Sequence, residues 1–412
     1  MDKELKFKER IITSIKGEDE PCLIFCTGFA GQKLLKACHY YGISVIGFCD
    51  EDKKKEGTTL AGLPVYHTDR IVKEFSENPI LVSYWNIAIS VQKLTQYGAS
   101  KIYPALLLLG DDELKQDSED YIFDSKKYYA TVGKTMHLHY LKPKAVVLEN
   151  LGFTATSKCS LKCKYCASFI PYRNNPSDVA VEENIECLKK MLTLCDHICY
   201  VNIIGGEVFC SKTWQDLVRE IKKHLGNEIG MINITTNGTI VPKKEDLKLL
   251  ADDRIFVAIS DYGDVSYGKE KMITAFRKYG VWHSLNKMTW YKVSFPKRHY
   301  RSREENAKVF AECRNNSCFS VFNGRLSRCG MSAGVEHDLF STEVFLEDSF
   351  DVFGQIDRNV PIEDIKQGLN EFLRNPKPLK ACDYCEESSR NVEEVVSGEQ
   401  LVSTDEALSD LM

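Results

Sequence analysis

Long hydrophobic runs are absent from this chain of 412 residues. A helix that crosses a bilayer needs about 20 consecutive apolar residues, and the run from Ala105 to Leu109 is far too short. The N-terminus, Met1 to Lys8, is charged and has no apolar centre of the kind found in signal peptides. These absences predict a soluble, cytoplasmic protein with no membrane partner.

The chain also lacks a surplus of basic residues. It has 54 Lys and Arg against 59 Asp and Glu, which gives a formal net charge of −5. This balance predicts no nucleic-acid-binding surface. No internal repeat is evident beyond a partial βα periodicity. With 43% hydrophobic residues the chain can bury ordinary cores, and its length indicates two or three domains.

Cysteine, by contrast, is abundant, with 16 residues. In a reducing compartment this number points to metal ligands rather than disulfides. Three cysteines cluster within residues 159–166 and five in the C-terminal part. The other eight stand mostly in apolar segments, where we expect small buried hydrophobes: Cys22, Cys26, Cys38, Cys49, Cys187, Cys195, Cys199 and Cys210.

Cys159, Cys163 and Cys166 have the spacing C-x3-C-x2-C. No Cys or His nearby completes a four-ligand zinc site, whereas three thiolates suit a 4Fe–4S cluster with one iron left open. Scattered buried thiols and a zinc site with a remote fourth ligand are the alternatives. The motif, including the aromatic Tyr165, closely resembles that of the radical S-adenosylmethionine (radical SAM) enzymes.

Downstream segments extend this resemblance. Gly205-Gly206-Glu207 follows the apolar run 198–202, and in the family the matching segment binds the amino group of the methionine moiety of SAM. An ordinary strand-to-helix turn is the alternative. By the same resemblance, residues at later strand ends contact SAM (Thr236, Asn237 and Ser260) or the substrate (Asp261 and Tyr262), although plain turn chemistry also favours such residues.

The resemblance implies a partial (β/α)6 barrel over residues 145–305. We predict strands near 145–151, 198–204, 231–235, 254–259, 281–285 and 290–294, with helices near 181–194, 214–225, 243–251 and 268–279. Catalytic groups should gather at the carboxyl ends of the strands. The implied partners are SAM and a one-electron reductant such as flavodoxin or ferredoxin.

The apolar runs at 21–27 and 44–49 predict buried strands on either side of a helix that runs from Gly28 to about Tyr41. Residues 1–115 read as an α/β, Rossmann-like domain similar to those of polysaccharide and nucleotide-sugar enzymes. The turn from Cys26 to Gly31 is a partial G-x-G-x-x-G fingerprint in which Cys26 replaces the first glycine. Gly28, Gly31 and Asp50 are candidates for binding a nucleotide or dinucleotide; a scaffold without a ligand is the alternative. Residues 116–144 read as a connector.

Residues 306–390 resemble the twitch form of the SPASM extension, which binds an auxiliary Fe–S cluster. Asn323-Gly324 predicts a hairpin, and the candidate ligands of a second 4Fe–4S cluster are Cys329, Cys382 and Cys385, with Cys313 and Cys318 competing for the last position. A four-cysteine zinc ribbon is the alternative. The tail, 391–412, is expected to be mobile or weakly docked.

Together these patterns predict reductive cleavage of SAM and abstraction of hydrogen from a sugar or nucleotide sugar, leading to oxidation, epimerisation or dehydration. The rival hypotheses are radical modification of a peptide and a non-catalytic Fe–S or zinc scaffold.

Overall fold

The computed structural model of the protein describes residues 2–83, 87–110, 121–122, 131, 133, 135, 138, 142, 144–172, 175–226, 228–287, 289–292, 298–313, 317–330, 332, 346–385 and 393–401. The chain divides into two units, the first formed by Met1–Ser118 and Asp124–Glu149, the second by Glu119–Phe123 and Asn150–Met412. Among the described residues, no helix has the length and apolar character needed to span a membrane.

The first unit is built on a six-stranded sheet with the order β3-β4-β2-β1-β5-β6. Its strands are β1 (Cys22–Phe25), β2 (Val45–Asp50), β3 (Thr59–Leu60), β4 (Leu63–His67), β5 (Ile80–Val82) and β6 (Ile102–Pro104). The β3–β4 pair is antiparallel and the others are parallel. Its helices are α1 (Asp2–Lys16), α2 (Phe29–Tyr41), α3 (Arg70–Glu74) and α4 (Ile87–Gln96).

The predicted strand–helix–strand at the start of this unit is confirmed. All four residues of β1 are buried, as expected for a central parallel strand. The helix α2 begins after Gly28 and ends at Gly42, whose left-handed φ of 66° closes the helix. β2 and β5 lie on opposite sides of β1, so the strand order changes direction at β1. Ligands of open α/β sheets bind at such a switch point.

The second unit contains a nine-stranded sheet with the order β16-β15-β14-β8-β9-β10-β11-β12-β7. Its strands are β7 (Tyr121–Ile122), β8 (Val147–Thr156, of which residues 147–149 are counted in the first unit), β9 (His197–Gly205), β10 (Ile229–Thr236), β11 (Ile255–Asp261), β12 (Trp282–Lys287), β14 (Ser320–Phe322), β15 (Arg325–Ser327) and β16 (Ser349–Asp351). β9 to β12 pair in parallel, so their carboxyl ends lie along one edge of the sheet.

Helices alternate with these parallel strands: α5 (Val181–Leu194), α6 (Trp214–Lys222), α7 (Lys244–Leu250) and α8 (Lys269–Tyr279). α9 (Arg303–Glu312), α10 (Phe353–Asp357) and α11 (Ile362–Arg374) follow. The four predicted helices are confirmed. Their apolar periodicity explains them, since α5 buries Ile185, Leu188, Met191 and Leu194 at every third position.

The strand predicted near 290–294 is placed differently from the prediction. It forms β13 (Trp290–Tyr291), which pairs antiparallel with β17 (Glu394–Val395) in a separate two-stranded sheet. The neighbour of β12 is instead β7, which comes from the predicted connector. Most of the connector, 116–144, lies outside the described residues. Local sequence predicts a strand but not the partner with which it pairs.

The hairpin predicted at Asn323-Gly324 is confirmed between β14 and β15. Both turn residues have positive φ, 47° and 73°, as a tight hairpin turn with the hand of the strand twist requires. β16 extends the hairpin to three strands, and β14 pairs in parallel with β8.

Candidate functional site

The three clustered cysteines lie on the loop that follows β8, which we call the cysteine loop (residues 157–169). Cys163 is buried, with 7% of its surface exposed, while Cys159 and Cys166 are partly exposed. Burial raises the pKa of the Cys159 thiol to about 12, and Glu207, Cys166 and Cys163 raise it further. Glu207 and the other two cysteines therefore all act on the pKa of Cys159.

The end of β9 holds the start of this loop by close backbone contact. An ideal Cβ on Gly206 would lie 2.1 Å from the carbonyl oxygen of Lys158, and one on Gly205 would lie 2.1 Å from that of Thr156. The amides of Gly206 and Glu207 donate to the carbonyls of Thr156 and Lys158. The paired glycines allow a close approach, as predicted, and in this structure the approaching group is the cysteine loop.

Glu207 has no exposed surface and connects the ends of β9 and β10. Its carboxylate accepts hydrogen bonds from Phe209 N at 3.1 Å, Thr236 Oγ1 at 2.8 Å and Asn237 N at 2.7 Å. Burial raises the pKa of Glu207 to about 7 although these three bonds act to lower it. All three donors are neutral groups. A cation placed beside Glu207 would therefore stabilise its ionised form further.

Asn237 carries this network from β10 to the first cysteine. Its Nδ2 donates to Cys159 Sγ at 3.6 Å and to Ser160 Oγ at 3.1 Å. Its Oδ1 accepts from the amide and hydroxyl of Thr239, and the hydroxyls of Ser160 and Thr239 are 2.6 Å apart. The structure thus brings Thr236 and Asn237 together with Glu207 and Cys159, as a shared site requires.

The end of β11 brings a second group of polar residues to the same edge. Burial raises the pKa of Tyr262 to about 12; Ser260 acts against this by hydrogen bonding, and the charges of Cys163, Cys166 and Glu207 add to it. Two cysteines of the loop therefore act on the pKa of Tyr262. Ser266 Oγ donates to the carbonyls of Asn237 and Ser260, which joins β11 to β10.

Asp261 is engaged away from the cysteines. Its Oδ1 accepts from Lys269 Nζ and from the amide of Gly263. Burial acts to raise its pKa, but these bonds outweigh burial and lower the pKa below its usual value. Asp261 is therefore ionised and already paired. Tyr165 stands beside the third cysteine, with Lys164 Nζ 5.6 Å from its ring centroid.

The donor set around the sulfurs fits an iron–sulfur cluster. Cys159 Sγ accepts from Leu161 N at 3.4 Å as well as from Asn237, and Cys163 Sγ accepts from Gln400 Nε2 at 3.2 Å. Such N–H to sulfur bonds accompany cluster ligands and tune them. Among the described residues no group of three or more His, Cys, Asp or Glu is placed to hold a single metal ion.

A second group of cysteines forms around the turn from Cys382 to Cys385. Burial raises the pKa of Cys385 well above its usual value, and Cys329, Cys382 and Cys313 raise it further. Cys318 is exposed as a residue, although burial of its thiol and the neighbouring Cys313 raise its pKa to about 11. All 16 cysteines lie within the described ranges, and none of them forms a disulfide.

Arginine fixes the backbone of this turn. Arg301 Nη1 donates to the carbonyls of Cys382 and Cys385 at 3.1 and 2.8 Å. Asp383 accepts from Arg298 Nε and from the amide of Arg301. Cys382 and Cys329 also pack against the apolar cluster that contains Phe310 and Leu379.

In the first unit, Cys26 keeps the conformation of the glycine it replaces, with φ of 74°. An ideal Cβ on Gly31 would lie 2.2 Å from the Cys26 carbonyl oxygen, so only glycine fits there, whereas one on Gly28 meets nothing within 4 Å. The helix start at Gly28 has no side-chain cap. The turn is therefore tight, and its helix end is open to a ligand.

Asp50 supports this turn directly. Its Oδ2 accepts from Thr27 N at 3.0 Å, Thr27 Oγ1 at 2.5 Å and Lys55 Nζ at 2.9 Å, and its Oδ1 accepts from Asp52 N at 3.0 Å. Burial acts to raise the pKa of Asp50, but these bonds lower it overall. Asp50, a predicted nucleotide-binding residue, is thus already engaged within the protein.

Several residues of the site were not among the sequence predictions. Ser160 lies inside the cysteine motif and Thr239 follows Asn237-Gly238, so a search of residues beside each motif would have found them. Ser266 and Gln400 carry no such signal. Gln400 belongs to the predicted tail, which is docked over residues 393–401; residues 402–412 lie outside the described part of the chain.

Known proteins share parts of this chain. A probable GTP 3′,8-cyclase of Methanococcus aeolicus is 28% identical over 123 residues, which are 30% of this chain and 40% of that protein. Molybdenum cofactor biosynthesis protein 1 of Dictyostelium discoideum is 28% identical over 124 residues, 30% of this chain and 18% of that protein. The chain thus spans less than half the length of the curated relatives it matches.

Among solved structures, native anSMEcpe with bound AdoMet and Cp18Cys peptide is similar with a TM-score of 0.37 and 15% identity, covering 60% of this chain and 86% of that one. The family model of the Radical SAM superfamily matches residues 153–296. This range begins within β8 and includes the cysteine loop and the ends of β9, β10 and β11. Residues 153–296 are therefore a radical SAM domain.

Proposed function

We propose that this protein is a radical SAM enzyme that acts on a sugar or nucleotide sugar, with oxidation, epimerisation or dehydration as the outcome. The observation that carries the proposal is the connection of Cys159 to the buried carboxylate of Glu207 through Asn237. A cluster on Cys159, Cys163 and Cys166, when bound, supplies the electron that cleaves SAM to methionine and a 5′-deoxyadenosyl radical.

The chain's own residues bind and orient SAM in this proposal. Gly205, Gly206 and Glu207 form the rim that receives the amino group of the methionine moiety. The buried Glu207 favours a cation, because an ammonium nearby would stabilise its ionised form. Thr236 and Asn237 extend the rim along β10.

The end of β11 supplies the substrate side. Ser260 is 8% exposed and hydrogen-bonds Tyr262, whose ring makes an edge contact with Trp290 at 4.9 Å between centroids. With its pKa at about 12, Tyr262 stays neutral and is able to donate a hydrogen bond to a substrate oxygen. Asp261, paired with Lys269, positions the following turn.

We further propose an auxiliary 4Fe–4S site on Cys313, Cys329, Cys382 and Cys385. Cys329 packs against the apolar cluster that contains Cys382, and Cys329, Cys382 and Cys313 all raise the pKa of Cys385. These relations support the site and favour Cys313 over the exposed Cys318 as the fourth ligand. Such a site would take an electron from a substrate radical in an oxidation, or serve structurally. The boundaries 145–305 and 306–390 for the core and extension domains are part of this proposal.

The sugar assignment depends on the first unit, residues 1–115, as a Rossmann-like domain for a nucleotide-type ligand. Its strand order, the left-handed Cys26 and the open helix start at Gly28 support this. Because Asp50 is engaged with Thr27 and Lys55, we assign it the support of the turn, and we propose the more exposed Lys55 as the group that meets a phosphate. A cytoplasmic location and a flavodoxin or ferredoxin as reductant complete the proposal.

Anaerobic reconstitution with iron, sulfide, SAM and a reductant tests it. We expect 5′-deoxyadenosine to form, and to form faster with the right member of a panel of nucleotide sugars. The control is the variant with Cys159, Cys163 and Cys166 all replaced by Ala, which should form none. Turnover stimulated only by peptides would reject the sugar assignment, and no SAM cleavage under any condition would favour the non-catalytic scaffold.

A further inference from the structure

The C-terminal segment, Glu393–Leu401, lies along the cysteine loop. Lys164 N donates to the Glu399 carbonyl at 2.7 Å and Leu401 N donates to the Lys162 carbonyl at 2.8 Å. Cys163 and Gln400 face each other in an antiparallel bridge. The middle cysteine of the motif is thus covered by backbone from the far end of the chain, 237 residues away.

The side chain of Gln400 is aimed at the sulfur. Its Oε1 accepts from Lys162 N at 2.8 Å, and a backbone N–H needs an oxygen there. This fixes the orientation of the amide, so its NH2 group faces Cys163 Sγ at 3.2 Å and the Gly398 carbonyl at 2.6 Å. Both amide hydrogens therefore have an acceptor.

Two anchors hold the segment in this position. Upstream, β17 pairs with β13, and Lys292 N donates to the Glu393 carbonyl at 2.9 Å. Next to Gln400, an ideal Cβ on Gly398 would lie 2.8 Å from both Tyr262 Cβ and Val265 Cγ2. Gly398 also has φ of 74°, so both the lack of space and the backbone conformation favour glycine at this position. The segment is docked between the cysteine loop and Tyr262.

We propose that Gln400 is a positioning residue for the cluster, holding Cys163 by an N–H to sulfur hydrogen bond, and that the C-terminal segment shields this ligand. The inference rests on the proposed function, because it takes Cys163 as a cluster ligand. A donor to a ligating thiolate offsets its negative charge, which favours the reduced cluster and raises its reduction potential. The cover also slows attack on the sulfur.

The first experiment uses the full chain without iron and needs no cluster. Reduced protein is treated with iodoacetamide, and alkylation of each cysteine is followed by peptide mass spectrometry. We expect Cys163 to react about tenfold more slowly in Gln400→Met than in the wild type, because iodoacetamide attacks the thiolate and the variant lacks the N–H that stabilises it. Met has a similar length but no donor. Val396→Ala, at a side chain that is 71% exposed, is the matched control and should leave the rate unchanged.

The second experiment uses the reconstituted holoenzyme. The rate of iron loss to a chelator and the midpoint potential are measured for wild type, Val396→Ala, Gln400→Met and Gln400→Glu. The iron held by the cysteine loop is the iron content of each protein minus that of the variant with Cys159, Cys163 and Cys166 replaced by Ala. We expect iron loss about tenfold faster and a lower potential in Gln400→Met. Gln400→Glu keeps the acceptor for Lys162 but turns an oxygen toward the sulfur, so its effect should be larger.

The outcomes separate the two hypotheses. Unchanged alkylation in Gln400→Met would overturn the N–H to sulfur hydrogen bond. Unchanged iron loss and potential, in a protein that holds loop iron, would overturn the role of Gln400 and leave the proposed function standing. A wild type with no more iron than the triple Cys→Ala variant would contradict the proposed function, and with it the role of Gln400.

Discussion

Asn237 donates from the end of β10 to the sulfur of Cys159, at 3.6 Å, while its own backbone amide donates to Glu207 at 2.7 Å. One residue therefore links the first cysteine of the loop to the buried carboxylate. Both contacts lie at the carboxyl edge of the parallel strands, where sheets of this kind present their functional groups.

Replacing Asn237 should loosen the cluster ligand. Asn237→Ala removes the donor to Cys159 and to Ser160, and changes to such outer partners typically cost about 10- to 100-fold in metal affinity. We expect iron retention in the reconstituted protein to fall by at least about tenfold. The control is Asn233→Ala on the same strand, which loses a 2.7 Å bond to Asn202 away from the loop. Equal retention in the two variants would contradict the prediction.

Glu207 should make stability depend on pH. Its pKa is about 7 in the folded protein against an ordinary 4.5, so between these values the folded state holds a proton that the unfolded state releases. Stability is then highest below pH 4.5 and falls as the pH rises through 7, by about 3 kcal/mol. Denaturant unfolding across this range measures the slope, which Glu207→Gln should remove. A slope that persists in the variant would show that other groups cause it.

SAM binding should also depend on Glu207. Losing a charge-assisted hydrogen bond costs about 1.5–3 kcal/mol, so Glu207→Ala should weaken SAM binding about ten- to a hundredfold. Calorimetry of the reconstituted protein measures it. Because Glu207 also holds Thr236 Oγ1 at 2.8 Å, the unfolding midpoint of the variant is measured in parallel as the control for structural loss. Unchanged SAM affinity in Glu207→Ala would contradict the contact and leave Gly205-Gly206-Glu207 as a turn.

Gly206→Ala should destabilise the second unit. The added methyl would lie 2.1 Å from the carbonyl oxygen of Lys158, and backbone cannot move aside cheaply. Overpacking of this kind costs about 1–3 kcal/mol, and we expect a lower unfolding midpoint together with loss of iron. Gly17→Ala is the control, because its Cβ would meet its nearest atoms at 3.4 Å, an ordinary contact. A normal midpoint and normal iron content in Gly206→Ala would mean that the loop stands further from β9.

Single substitutions should separate the C-terminal cysteines. Cys313 raises the pKa of Cys385, whereas Cys318 is an exposed residue. Combined with the triple Cys→Ala change in the cysteine loop, Cys318→Ser should keep about four irons per chain and Cys313→Ser should lose them. Iron and sulfide analysis, with zinc measured in parallel, reads the outcome. Zinc in place of iron, or the opposite result for the two variants, would reject this ligand set.

A nucleotide ligand should stabilise the full chain, by about 2.7 kcal/mol at 100 times its dissociation constant. Gly28→Ala is the sharpest variant, because the new methyl meets nothing within 4 Å in the protein but would meet a phosphate at the helix start. We expect unchanged stability without ligand and a reduced thermal shift with it. No shift for the wild type with any nucleotide tested would favour the scaffold reading of this unit.

The sequence was informative wherever a short pattern carries its own physical reason. The alternation of apolar runs and polar turns predicted β1, α2 and β2 of the first unit and the helices α5 to α8 of the second. Asn323-Gly324 predicted a hairpin because few residues tolerate its positive φ values. The spacing of Cys159, Cys163 and Cys166 indicated the radical SAM domain, since a motif of three cysteines on one loop needs no long-range information.

Only the tertiary structure decided the partners of these local elements. β13 pairs with β17 rather than with β12, Asp50 is occupied by Thr27 and Lys55, and Gln400 reaches Cys163 across 237 residues. Each of these depends on contacts between segments that are distant in sequence, and no local pattern encodes which edge, carboxylate or sulfur a distant segment will meet. The sequence therefore determined most of the local elements and indicated the radical SAM domain, and packing decided which residues surround its cysteines.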